Sequence, residues 1–312
     1  MVDAAAAVGA EVVKFQCHIT EKEMVPTDMK PGEISEERLW DIIKRSELTE
    51  DEERRVQAHC RDKGVLYLST PFSREAADRL DDMGVPAFKI GSGECNNLPL
   101  LRHIARLGKP MILSTGMNDL DSVRRSVEAI GEFDVPLALL HCTSMYPTPY
   151  DKVRLGGVTD LRLAFPECPT GLSDHSLNIW TCLGAVALGA SILEKHFTVS
   201  RDWPGPDVPI SIEPREFGDL VEGSRAVWLA RGGGKTRLPE EQQVIEFAYA
   251  TVVTTAPIKA GQRFEETNTW VKRPGTGRIH ADRLTDVVGK VAIRDLSADV
   301  HVSPEDVVGF DD

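Results

Sequence analysis

The chain has no apolar run of membrane-spanning length, and its N-terminus lacks the charged segment and apolar core of a signal sequence. No membrane partner is expected, and a cytoplasmic location is. Its six cysteines, Cys17, Cys60, Cys95, Cys142, Cys168 and Cys182, make no CxxC pair and no disulfide framework. Several lie in or beside apolar strands, the pattern of reduced core thiols. Positive charge is in deficit: 36 Lys and Arg face 49 Asp and Glu, for a net charge of -13. Nucleic acid is therefore not an expected partner, because phosphate backbones need clustered cations. A small anionic substrate needs only a few local donors and stays open. What is present is a 312-residue chain with 41% apolar residues, enough for one large core and a small extra domain.

Strand and helix patterns alternate through most of its length. Strands are predicted at 12–16, 65–69, 86–91, 110–114, 137–142, 168–173 and 192–196. Amphipathic helices are predicted at 73–83, 98–107, 118–131, 152–163 and 176–190, with another after Glu213. Thr49-Glu50-Asp51-Glu52 reads as a capping box opening a helix that ends near Asp62. Alternating strands and helices imply parallel pairing with right-handed crossovers. Every predicted strand ends in polar residues or glycine, as expected when a TIM (β/α)8-type barrel builds its site from that edge. The expected class is thus α/β, a TIM barrel whose first strand is missing ahead of the helix at 1–9. An open doubly wound sheet is the architectural alternative. The barrel is assigned to residues 1–230, a Gly-rich linker to 231–246 and a small β-rich domain to 247–312.

The tract from Gly171 to Ser211 holds two short apolar runs that each end in histidine, His175 and His196. As neighbouring parallel strands they bring both imidazoles to one edge, beside Ser173 and Asp207. Each histidine alone fits a hydrogen-bonded structural role; together they fit a metal site. Two protein ligands leave positions for water and substrate, which suits Mn²⁺ or Mg²⁺ better than a closed zinc site. Lys89-Ile90-Gly91-Ser92-Gly93 offers an ammonium, a hydroxyl and approachable backbone N–H groups. With Ser69, Thr70, Ser114, Thr115 and Ser173 at other strand ends it suits a phosphate ester, although the same hydroxyls can cap the following helices. Lys14 would point into the barrel mouth, beside the rigid loop Tyr146-Pro147-Thr148-Pro149. Arg273 reads as a solvated loop residue unless the small domain closes over that mouth.

Taken together, these segments resemble the N-acetylneuraminate (sialic acid) synthase family. The likeness runs through Lys14-Phe15-Gln16, Ser69-Thr70-Pro71-Phe72, Lys89 to Glu94, Ser114-Thr115-Gly116-Met117 and His141 to Pro149. It continues through Gly171 to His175, Glu194 to Thr198 and Gly205-Pro206-Asp207. The tail, with Val271-Lys272-Arg273-Pro274-Gly275, resembles the family's antifreeze-like SAF domain. The resemblance implies condensation of phosphoenolpyruvate with N-acetylmannosamine and water to give N-acetylneuraminate and phosphate. It also implies a transferase with Mn²⁺, Mg²⁺ or Co²⁺ on His175 and His196. Thr70, Lys89, Ser92, Ser114, Ser144 and Ser173 would hold phosphoenolpyruvate. Lys14, Gln16, Tyr146 and Asp207 would face the sugar, and Lys14 and Lys89 would join the histidines in catalysis. Arg273 would come from a partner's SAF domain in a domain-swapped homodimer.

The chain departs from the family pattern in four places. The first strand and its glutamate are not seen, and no sugar-contacting asparagine is evident near Pro31-Gly32-Glu33. Ser144 stands where some members have asparagine, and Asp299 replaces a turn glycine, tolerable if its backbone is left-handed. Rival functions are a legionaminate or pseudaminate synthase using another 2-acetamido sugar, and a non-catalytic carbohydrate- or ice-binding protein.

Overall fold

Seven short runs rich in β-branched and apolar residues form the strands of the first unit. They are β1 (Val12–Cys17), β2 (Leu66–Pro71), β3 (Phe88–Ile90), β4 (Met111–Ser114), β5 (Leu137–Cys142), β6 (Thr170–Asp174) and β7 (Ile192–Lys195). All pairings among them are parallel: β1 with β2, and β3 through β7 in chain order, with β2 packed beside β3. The sheet curls into an α/β barrel of the TIM type. Lys14 Nζ on β1 lies 2.7 Å from Glu194 Oε1 on β7. A flat seven-strand sheet would hold those strands roughly 29 Å apart at about 4.8 Å per step.

This computed structural model describes residues 1–32 and 36–311. It divides into two compact units, Met1–Gly232 and Gly233–Asp312. Of the insertion around Pro31-Gly32-Glu33, Glu33 lies outside the described residues. The helices of the first unit are α1 (Val2–Ala7), α2 (Thr20–Glu23), α3 (Leu39–Ser46), α4 (Glu50–Asp62), α5 (Arg74–Asp82) and α6 (Leu98–Ala105). Then follow α7 (Leu120–Gly131), α8 (Tyr150–Val153), α9 (Gly156–Ala164), α10 (Trp180–Ala187) and α11 (Pro214–Ala230). Their starts follow local chemistry. Thr49 and Glu52 form the capping box of α4, and the side chains of Ser73, Asn97 and Asp119 accept first-turn N–H groups of α5, α6 and α7. Between helices and sheet lies a core of Phe88, Ile90, Leu101, Ile104, Met111 and Leu113, all buried. Each such side chain contributes about 1.5–3 kcal/mol.

Two helices differ from the sequence pattern. The helix expected over 176–190 is confined to α10, because Asn178 takes a left-handed φ of 62° and Ser176 is bound to the Asp174 carboxylate. The one expected over 152–163 splits into α8 and α9 at Arg154, which sits at φ 52°.

The second unit pairs β8 (Thr251–Thr254) antiparallel with β9 (Thr269–Lys272) over a core of Val252, Ile258, Phe264, Val287, Leu296 and Val302. Val291 and Ala292 make isolated bridges, to Arg263 and Val307, rather than a further strand. Part of the presumed linker is ordered as α12 (Gln242–Ala248), because Ile245 is buried and Glu246 O accepts from Gly275 N at 2.7 Å. Asp299 adopts φ 58°, the left-handed backbone its position requires. Among the described residues no helix is long and apolar enough to cross a membrane.

Candidate active site

Strand alternation decides which side chains enter the barrel. On β3, Phe88 and Ile90 pack into the helix-side core, so Lys89 between them points inward. Its Nζ donates to Ser114 Oγ on β4 at 2.7 Å and lies 3.2 Å from Glu194 Oε2 on β7. Glu194 Oε1 is paired with Lys14 from β1 at 2.7 Å. Three strands thus converge on one carboxylate. Burial works to raise the Glu194 carboxyl, but the Lys14 and Lys89 charges outweigh it and hold the group well below the usual carboxylate range. For Lys89, burial outweighs the pull of Glu194 and lowers the ammonium. Two lysines face one glutamate here, an arrangement that an anion can complete.

Hydroxyls line the adjoining wall. Ser92 Oγ, in the turn after β3, accepts from Gly116 N at 3.0 Å, and Asn118 Nδ2 donates to Gly116 O at 2.7 Å. A Cβ at Gly116 would lie 2.8 Å from Ser92 Oγ, 3.1 Å from Cys142 Sγ and closer still to Ser144 Oγ. Glycine is required there for those groups to converge. Ser173 on β6 is in register with Cys142, and Thr70 at the end of β2 is in register with Gln16; Thr70 and Ser173 are both buried.

His175 and His196 follow β6 and β7 directly, in the next register step after Asp174 and Lys195. Their ring centroids are 5.2 Å apart. Imidazoles sharing one ion at about 2.1 Å per Zn–N bond have centroids roughly 4.5–5.5 Å apart. His175 Nδ1 donates to Thr143 O at 3.0 Å, which fixes the ring tautomer and leaves Nε2 as a ligand nitrogen. Burial would lower His175, yet its hydrogen bond to Cys142 and the Thr143 carbonyl raise it on balance. Burial pulls His196 down to about 4, against Asp207 and assisted by His175 and Lys14, so this ring is neutral at pH 7 with a lone pair to give. Asp207 Oδ2 lies 3.6 Å from His196 Nδ1. Among the described residues no cluster of three or more His, Cys, Asp or Glu side chains is arranged to hold an ion. The spacing of the two imidazoles fits an ion with two protein ligands and open positions for other donors. The Tyr146 ring is tilted against His175, with centroids 4.2 Å apart, and meets His196 edge-on at 6.1 Å. Burial, with Cys142, Asp207 and Glu194 nearby, pushes its phenol up, so it remains a hydrogen-bond donor.

The first unit therefore brings together Lys14, Gln16, Thr70, Lys89, Ser92, Ser114, Ser144, Tyr146, Ser173, His175, His196 and Asp207 at one rim. Arg273 is exposed on the turn after β9, in the second unit. Two further groups belong to the site. Glu194 is a polar strand end in the sequence, and its period-two spacing from His196 places both on the inner face. Cys142, expected as a core thiol, is raised by burial, but His175, Ser92 and Ser144 prevail and lower it.

Comparison with known proteins bears on this arrangement. The model of the NeuB family matches residues 1–236, and that of the SAF domain matches residues 249–308. The chain is 36% identical to the N,N'-diacetyllegionaminic acid synthase of Campylobacter jejuni, over 96% of this chain and 92% of that one. It is 32% identical to the pseudaminic acid synthase of the same species, over 95% and 87%. Among solved structures it resembles the sialic acid synthetase of Leptospira borgpetersenii in complex with citrate, with a TM-score of 0.71 at 33% identity, covering 79% and 83%.

Proposed function

Because the chain belongs to the NeuB family, we propose that it is a phosphoenolpyruvate-dependent synthase that makes a nine-carbon 2-keto sugar acid from a 2-acetamido sugar aldehyde. N-acetylmannosamine, giving N-acetylneuraminate, is the substrate we assign first. The likeness to a legionaminic acid synthase and a pseudaminic acid synthase supports another 2-acetamido sugar as the alternative. The observation that carries the reading is the inner face of β7, where Glu194 and His196 join the lysine–hydroxyl anion site to the imidazole pair.

In this reading Lys89, Ser92, Ser114, Ser144, Ser173 and Thr70 bind phosphoenolpyruvate. Glu194 holds Lys14 at 2.7 Å and Lys89 at 3.2 Å, so the anion meets two lysines already fixed in position. Lys14, Gln16, Tyr146 and Asp207 face the sugar. A divalent ion on His175 and His196, manganese before magnesium or cobalt, supplies Lewis-acid polarisation of the aldehyde oxygen when bound. The enol carbon of phosphoenolpyruvate bonds to the aldehyde carbon, and the former carbonyl oxygen takes up a proton. Water then adds to the cationic C2 and loses a proton, and the tetrahedral adduct releases inorganic phosphate by C–O cleavage. Holding both substrates across one rim supplies the proximity advantage. Arg273 would reach the acetamido group from a partner's SAF domain in a swapped homodimer. The six buried free cysteines favour a reducing, cytoplasmic setting.

The test is phosphate release from phosphoenolpyruvate with a panel of 2-acetamido aldehydes, with mass analysis of the product. Phosphate and a 2-keto acid in equal amounts are expected with one aldehyde. Sugar binding with no phosphate release from any aldehyde would replace the enzyme by a carbohydrate-binding protein.

A further inference from the structure

Two residues beyond Gln16 on β1 lies His18, whose ring is buried, stacks on Phe72 at 4.5 Å and 9°, and is held at both nitrogens. Its Nδ1 lies 2.9 and 3.1 Å from the two carboxylate oxygens of Glu23, on α2, whose side chain is as enclosed as the imidazole. Its Nε2 lies 3.4 Å from Gln16 Oε1. Enclosing a carboxylate–imidazole pair is costly, and apolar residues of the same volume would pack as stably. The pair leads instead to an exposed amide on the inner face of β1, one alternation above Lys14. Phe72, which backs the His18 ring, also lies 3.7 Å from the Cβ position of Gly91, in the turn that carries Ser92. The rim at Gln16 is therefore braced on both sides.

An amide has two chemically opposite ends. The imidazole Nε2 engages one end of the Gln16 amide and leaves the other end facing the mouth. We infer that His18 is a positioning residue that holds the Gln16 amide in one orientation, so that a single end of it meets the polar groups of the sugar. This inference rests on the synthase reading and deepens it. Without His18 the amide rotates freely and can present either end, so the site no longer distinguishes an acceptor from a donor.

The test measures kcat and the two KM values by phosphate release for wild type, His18→Phe, Gln16→Ala and the double variant. His18→Phe keeps the stack on Phe72 and removes both ring nitrogens. It is expected to raise KM for the sugar about 5- to 10-fold while KM for phosphoenolpyruvate stays within about twofold. In the Gln16→Ala background the same change is expected to do nothing further, since the group it orients is gone. Glu23→Gln, a gentler change should His18→Phe fold poorly, is expected to shift the sugar KM in the same direction by about 2- to 4-fold. An equal rise in both KM values, an unchanged sugar KM in folded variants, or additive effects in the double variant would each overturn the inference while wild-type turnover still supports the synthase. Wild type that releases no phosphate from any aldehyde would overturn the synthase reading and this inference with it.

Discussion

Asp174 and Lys195 face each other at 2.6 Å across β6 and β7, almost fully buried, and the residue after each is one of the two imidazoles. Alternation turns this pair toward the helices while His175 and His196 turn toward the barrel mouth. Asp174 also accepts from Thr181 and Ser176, and Lys195 also donates to Ser176 O, so the turn after β6 is tied to the end of β7. The spacing of the histidines is thereby set from behind. Lys195→Met leaves a buried carboxylate without its cation and is expected to cost about 3–5 kcal/mol, read as a lower urea midpoint at unchanged m value. Asp174→Leu combined with Lys195→Met is expected to recover part of that loss. A single-variant cost below about 1 kcal/mol would show that the pair does not hold the two strand ends.

Lys89 is the ammonium most deeply enclosed in the anion site. Lys89→Met is expected to raise KM for phosphoenolpyruvate about 100-fold, as for loss of a charge-assisted contact in a desolvated site. Ser114→Ala, which removes only its hydroxyl partner, is expected to cost about 5-fold. Steady-state kinetics with the sugar saturating checks both. Equal effects of the two changes would place the bound phosphate elsewhere.

Gly116 tests the wall opposite the lysines. Gly116→Ala drives a methyl group into Ser92, Ser144 and Cys142 with no positive φ at stake. Weaker phosphoenolpyruvate binding by about 10-fold or more is expected, with thermal unfolding displaced by only a few degrees. Calorimetric titration with phosphoenolpyruvate measures the first, and a thermal melt the second. Unchanged affinity would remove Ser92 and Ser144 from the substrate site.

Much of this was legible from residue pattern. The parallel strand–helix order, the Thr49 capping box and the polar strand ends all follow from short-range signals. So does the pairing of His175 with His196, because two parallel strands of like length end together. Tertiary contacts account for what was missed. The start of α10 yields to the hydrogen bonds of Asp174, which no helical periodicity encodes. Glu194 looks like a solvated strand end until the barrel curls and brings Lys14 and Lys89 to it. His18 and Glu23 are five residues apart, and nothing in that spacing says that a short helix folds one over the other.

His141 lies on the outer side of β5, buried, with Nε2 donating to Val153 O at 2.7 Å. Burial lowers it below its ordinary value, against the Val153 hydrogen bond, so the folded chain holds it neutral where the unfolded chain would protonate it. More protons bound when unfolded means stability that rises with pH. This contribution is present above the unfolded value of about 6.5 and is lost as pH falls from there toward the folded value. A slope of at most about 1.4 kcal/mol per pH unit is expected in that window, and it should disappear in His141→Asn. Urea titrations between pH 5 and 7 read it. An identical slope in the variant would assign it to other groups.

The central claim is that His175 and His196 hold one divalent ion over the lysine–hydroxyl site. Mn²⁺ binding followed by electron paramagnetic resonance, on wild type and His196→Ala, addresses it directly. The expected result is one Mn²⁺ per chain in wild type, turnover abolished by chelator and restored by Mn²⁺, and both lost in a variant with an unaltered circular dichroism spectrum. Full Mn²⁺ binding or full turnover in His196→Ala would contradict it.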